Sequence, residues 1–184
     1  MDHFMEEVVT KKNHVVDDIM YVLSVIIKVL SAIVAVWWLN IIINAIASGI
    51  GIVSLLPDIV FALVMAAVAV LLFLFRDRLR TEYEYTFTNG DMDFAQVFNN
   101  VKRKSLGTLR VHGVEAFGRV NSSAFQRYIS MPGVQQSRWF LNRGAELYFF
   151  YYQKDSNKRI IVCEPSEEMV QMIRQYLPHG AWQE

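Results

Sequence analysis

The run Ile59 to Phe75, IVFALVMAAVAVLLFLF, contains no side chain that carries a charge or a strong hydrogen-bonding group. At a helical rise of 1.5 Å per residue it extends about 26 Å, close to the roughly 30 Å hydrocarbon layer of a bilayer. A helix buried in a soluble core normally interleaves polar residues along one face. The run therefore predicts a membrane-spanning helix, around which every other segment has to be arranged.

A second apolar run, Val22 to Ile46, precedes it and is interrupted by Ser24, Lys28, Ser31, Asn40 and Asn44. A lysine at the bilayer centre costs about 2.5–3.5 kcal/mol on insertion scales, so Lys28 belongs at one end of the span. Pairing the two runs as an antiparallel hairpin separates Lys28 from Asp58 and brings it toward Asp77. Ser31 and Ala35 then meet Ala62, Ala66 and Ala69 as small-residue stripes that allow close helix packing. Asn40 and Asn44, one turn apart, read as an interhelical hydrogen bond or as a polar seam for oligomer contact or a transport pathway. Trp37 and Trp38 fall mid-span, where they pack against another helix or lipid. Ala45-Ile46-Ala47 has the small residues of a signal cleavage site. The arm before it is acidic, however, and the apolar run outlasts the roughly 7–15 residues of a signal core.

Charge orients the hairpin. The connection ASGIGIVSLLPD has no lysine or arginine, whereas Lys11, Lys12 and Lys28 precede the first span and Arg76, Arg78 and Arg80 follow the second. The positive-inside tendency places both termini in the cytoplasm of a multi-pass cell-membrane protein. Ser54 is the expected cap of the second span, with Pro57 in its first turn and Asp58 beside the positive end of the helix dipole.

An overall formal charge of zero conceals a partition: net −3 over residues 1–18, zero over 19–75 and +3 beyond. Neither end is basic enough to imply nucleic acid. The single cysteine, Cys163, rules out an internal disulfide framework and fits a reducing compartment. Residues 1–20 space Phe4, Val8, Val15 and Ile19 at helical intervals, with Glu7 and Lys11 as an i,i+4 pair. The expectation is an amphipathic arm, packed on the C-terminal unit or lying on the membrane.

From Thr81 the hydrophobic period changes to alternation. Tyr83, Tyr85 and Phe87 share one strand face, Asn89-Gly90 supplies a type I′ turn, and Met92 and Phe94 return on the matching face. Pairing about this turn sets Phe87 against Met92 and Tyr85 against Phe94, leaving Glu82, Glu84, Asp91 and Asp93 to solvent. Further strands are expected at Ser105 to Val111, Val114 to Val120, RWFLN, AELYFFYYQ and RIIVCE, with a short helix over Ser122 to Ser130. A closing amphipathic helix starts at the cap Ser166, carries Met169, Val170, Ile173 and Leu177 on its apolar stripe, and stops at Pro178.

The expected architecture is a membrane α-helical hairpin plus an α+β cytoplasmic domain. The arm takes residues 1–20, the two helices occupy about 22–46 and 55–75 within 21–76, and the domain spans 81–184. Its antiparallel strands form a curved sheet or open barrel with a C-terminal capping helix. The stretches YEYTFTNGDMD, KRKSL and RIIVCEPSEEMVQMIRQYLP resemble an uncharacterised bacterial family of small membrane proteins, DUF6106. More distantly, the C-terminal unit is similar to bacterial pleckstrin-homology-like (PH-like) domains found next to paired membrane helices. Residues 118–144 match neither pattern well. The resemblance implies a PH-like fold and brings no catalytic residues or cofactor with it.

No chemistry declares itself. His3, His14, His112 and His179 lack metal-site spacing, and Asp91 with Asp93 lacks the distal ligands of a calcium loop. No phosphate-cradling glycine loop is present. Cys163 lies in an apolar strand as a small core residue. The expectation is therefore a non-enzyme without cofactor or metal. The suggestive cluster is Lys102, Arg103 and Lys104, supported by Arg76, Arg78 and Arg80, as a contact for anionic lipid or an acidic partner. Against it stands the ordinary reading, a solvated strand end. The expected partners are the bilayer and a protein or a second copy, and the function is that of a tethered binding module or scaffold. An oligomeric transport or channel accessory subunit is the alternative.

Overall fold

A computed structural model describes residues 3–183. The chain divides into two compact units: Asn13–Arg80, and Met1–Lys12 together with Thr81–Glu184 so far as these are described. Residues 3–12 thus belong to the sheet unit, which begins well before the expected boundary at residue 81.

The helical unit is a pair, α1 (Val15–Ala47) and α2 (Leu56–Phe75), with 3-10 turns at Ile52–Leu55 and Arg76–Leu79. Ser31, Ala35 and Ala62 are buried and Ala66 and Ala69 half-buried, as expected where small residues let two backbones approach. Large apolar side chains elsewhere face outward, among them Ile33, Val36 and Trp37 of α1 and Leu63, Val70 and Phe73 of α2. Both helices are long and apolar enough to cross a membrane. Trp38 packs on Phe61, with ring centroids 4.8 Å apart, and its indole N–H donates to Asp58 Oδ1 at 3.1 Å. Lys28 lies over the Phe73 ring, 5.8 Å from its centroid, at the end of α2 that leads into Asp77. Two local expectations need correction. Asn44 Nδ2 donates within α1 to the carbonyl and side-chain oxygens of Asn40, each at 2.8 Å, so the bond is not interhelical. Ser54 donates back to the Gly51 carbonyl at 2.7 Å, and α2 starts from Leu55 without a side-chain cap.

The sheet unit holds two sheets that do not close into a barrel. The first has the order β1 (Phe4–Val9), β2 (Thr81–Thr88), β3 (Asp91–Phe98), β4 (Lys102–Arg110), antiparallel throughout. Phe87 pairs with Met92 and Tyr85 with Phe94 about Asn89 and Gly90, at φ 49° and 96°, as the type I′ reading requires. A Cβ on Gly90 would stand 2.7 Å from Tyr176 Cδ1, so space as well as φ demands glycine.

The amphipathic-helix reading of the N-terminal arm is overturned over Phe4–Val9. This segment is a strand, pairing Phe4 with Thr88 through to Val9 with Tyr83. Alternation sends Met5 and Val9 into the core and leaves Phe4, Glu6 and Val8 exposed. Helix and strand spacings both fit so short a segment, and the long-range partner decides between them.

The second sheet has the order β6 (Gln135–Trp139), β8 (Asn157–Cys163), β7 (Tyr148–Lys154), β5 (Val114–Arg119), β9 (Trp182–Gln183). The β6–β8 and β5–β9 pairs are parallel and the others antiparallel. One face joins the main core through Tyr148, Phe150, Ile161 and Cys163. The other is covered by α3 (Ser123–Ile129) and its flanks over Phe149, Tyr151, Ile160 and Val162. Burial on both faces explains why YFFYY is apolar without alternating. α4 (Glu167–Tyr176) adds Met169, Val170 and Ile173 to the main core, and Ser166 caps it by accepting from the Met169 N–H at 3.3 Å.

Candidate functional site

Lys102, Arg103 and Lys104 open β4 and do not lie in the connection before it; all three are exposed. The turn at Asn99 and Asn100, with φ of 50° and 54°, delivers the chain into this edge strand. Strand alternation splits the triplet: Lys102 and Lys104 stand opposite Phe98 and Gln96 on one face, while Arg103, opposite Val97, points to the other. There Arg103 forms a 2.7 Å ion pair with Glu84 of β2, so the Glu84 carboxylate offsets its charge. Lys102 and Lys104 have no such partner among the described residues. The supporting arginines are engaged inside the helical unit: Arg80 with Asp18 at 2.7 Å and over Tyr21, Arg76 with Asp77 at 3.6 Å, and Arg78 over Phe75. The usable charge is therefore two lysines on one face of an edge strand.

A polar clasp that the sequence did not announce closes around the end of β1. Glu164 is 7% exposed and accepts from the backbone N–H of Leu141 at 2.7 Å and Asn142 at 3.2 Å. Asn142 in turn donates to the Thr10 carbonyl at 2.9 Å, and its Oδ1 accepts from Lys12 N–H at 2.9 Å. Glu7 accepts from the Ser166 N–H at 2.9 Å. The Tyr85 hydroxyl donates to the Trp139 carbonyl, and burial holds it protonated far above the ordinary tyrosine range. A cleft of 390 Å³ opens beside the clasp, but Glu7 and Glu164 are occupied by backbone N–H groups. Their work is to fasten the N-terminal strand. Each bond spans a large sequence separation, which is why no local motif revealed it.

Cys163 is fully buried, and burial pushes its thiol up, away from the reactive thiolate. His3 and His112 flank Tyr176 as ring contacts, each 5.7 Å between centroids. Among the described residues no group of histidine, cysteine or carboxylate side chains is arranged to hold a metal.

A family model described as a bacterial PH-like domain, DUF6106, matches residues 1–183. No curated protein and no solved structure matches the chain.

Proposed function

We propose, from the premise that this chain belongs to the bacterial PH-like family DUF6106, that it is a membrane-tethered binding module whose sheet unit works at the cytoplasmic face of the cell membrane. One observation carries this reading. The apolar helix pair is inserted between β1 and β2, which are hydrogen-bonded neighbours from Phe4↔Thr88 to Val9↔Tyr83. A segment that leaves and re-enters one sheet at adjacent strands can cross a bilayer only an even number of times. The inserted unit contains two helices of spanning length, and Arg76, Arg78 and Arg80 directly precede β2, which favours the cytoplasm for the sheet unit. The partner is an anionic headgroup or acidic protein surface met by Lys102 and Lys104, and the protein is not an enzyme. The transport reading draws no support from Asn40 and Asn44, whose amides bond to each other.

Single cysteines at Ser48 and Asn157, in a Cys163→Ser background, test the tether in intact cells. An impermeant thiol reagent should label Ser48→Cys and leave Asn157→Cys untouched until the membrane is opened. Labelling of Asn157→Cys alone reverses the orientation, and labelling of both in intact cells removes the tether.

A further inference from the structure

The face of the second sheet that builds the core at one end turns cationic at the other. On β7 the alternation that buries Tyr148 and Phe150 continues through Tyr152 to Lys154. On β8 the same face runs from Cys163 and Ile161 to Arg159, and on β6 it runs from Trp139 to Ser137 and Gln135, in register with Ile161 and Arg159. With Phe94 and the Leu106–Thr108 stretch of the first sheet, these groups line a cavity of 160 Å³ at the gap between the edge strands β4 and β6. We propose that this cavity binds a phosphate monoester, with Arg159 and Lys154 holding its oxygens.

The electrostatics are one-sided. Two cations and no carboxylate line the space, and Asp93 meets it only through the hydroxyl of Thr108, which donates to it. Arg159 Nε is buried without a hydrogen-bond partner. The Nε atoms of Arg76 and Arg80 lack one too, yet each of those guanidinium groups has a carboxylate within 3.6 Å or 2.7 Å. Arg159 has none. A guanidinium that lines a polar cavity with no carboxylate beside it favours an anionic acceptor there. A guanidinium fork with an ammonium point charge suits a tetrahedral oxyanion, and the Ser137 hydroxyl and Gln135 amide add neutral donors. Phe94 and Trp139, with ring centroids 4.8 Å apart, form an apolar wall. The volume is below the roughly 300–1,000 Å³ of sites that enclose drug-sized ligands, so the head is held and its substituent leaves through the gap. A soluble sugar or glycerol phosphate and a phosphatidic acid headgroup share this chemistry. The site does not depend on the membrane reading, because a soluble ligand tests it in detergent.

Isothermal titration of the full chain in neutral detergent, with glycerol 3-phosphate and with short-chain phosphatidic acid, decides the matter. Saturable binding is expected, weakened at least tenfold in Arg159→Gln and several-fold in Lys154→Gln. Lys154 is exposed, so its variant remains informative if Arg159→Gln folds poorly. Binding should also decline as pH falls through about 6, where a phosphate monoester takes up its second proton, and short-chain phosphatidylcholine, a diester, should not bind. Tighter binding of phosphatidic acid supports the site and assigns a lipid source; equal or tighter binding of glycerol 3-phosphate supports it and assigns a soluble one. Absence of saturable binding by both monoesters overturns the proposal, as does binding that neither variant weakens. Inward charges that merely discourage edge-to-edge strand pairing would produce that result.

Discussion

Tyr85 shows how much one side chain can be asked to do. Its ring is fully buried against Phe94, at 5.5 Å between centroids, while its hydroxyl donates to the Trp139 carbonyl and accepts from the Glu164 N–H at 3.4 Å. Burial raises its pKa far above the usual value, and the Cys163 thiol shifts the same way. Unfolded tyrosine ionises near pH 10 and unfolded cysteine near about 8.5. Above those values the unfolded chain holds fewer protons than the folded one, so stability falls as pH rises. The contribution is fully present below the unfolded values and is lost on the alkaline side. Denaturation of the detergent-solubilised chain from about pH 7 to 10.5 should therefore show declining stability. Tyr85→Phe should flatten that decline while costing about 1–3 kcal/mol at neutral pH, because the Trp139 carbonyl loses its donor. An unchanged pH slope in Tyr85→Phe would contradict the burial argument.

β1 is the element on which the architecture turns. It covers the edge of β2, contributes Met5 and Val9 to the core and is fastened through Glu7 to Ser166. A chain starting at Thr81 would expose the whole of β2 as an unpaired edge and remove these contacts, a recipe for aggregation. A chain that retains residues 1–12 and replaces 13–80 with a short Asn-Gly turn keeps them all. The expected outcome is a monodisperse, cooperatively melting protein from the turn-replaced chain, and from the truncated one an aggregated or far less stable product. Size exclusion and thermal circular dichroism compare the two. Equal behaviour would show that β1 is dispensable.

For the molecule as a whole, a sheet unit joined to an inserted apolar hairpin makes local concentration the natural source of affinity. A lysine near an anionic surface contributes about 1 kcal/mol, so on the proposed tether Lys102 and Lys104 together are enough to bias the sheet unit without binding tightly alone. With the turn-replaced chain, co-sedimentation with anionic vesicles should exceed that with neutral ones and weaken with added salt. The Lys102→Ala/Lys104→Ala variant should bind about tenfold more weakly or less still, whereas Arg103→Ala, whose charge is held by Glu84, should change binding less. Equal binding by all three proteins would remove the headgroup contact and leave a protein partner as the better reading.

What could be read from residues alone was local. The two apolar runs, the Asn89-Gly90 turn with its register, the Ser166 cap and the stripe of α4 each follow from neighbours within about one turn or one strand pair. Hydropathy, φ preference and capping act over that range, so these elements were legible. The family resemblance was legible for the same reason, since its motifs are contiguous. Tertiary structure decided what depends on distant partners. The segment FMEEVV became a strand because β2, more than seventy residues later, accepts it along its full length. The KRK triplet divided into a paired arginine and two free lysines because strand geometry and Glu84 across β3 sort alternate side chains. Lys154 and Arg159 drew no notice in the sequence, and they share one cavity only because two separate sheets bring their lining groups together. A contact whose free energy comes from chain segments brought together only by folding leaves no periodic trace in the sequence around either partner, and the clasp of Glu7, Asn142 and Glu164 is of that kind.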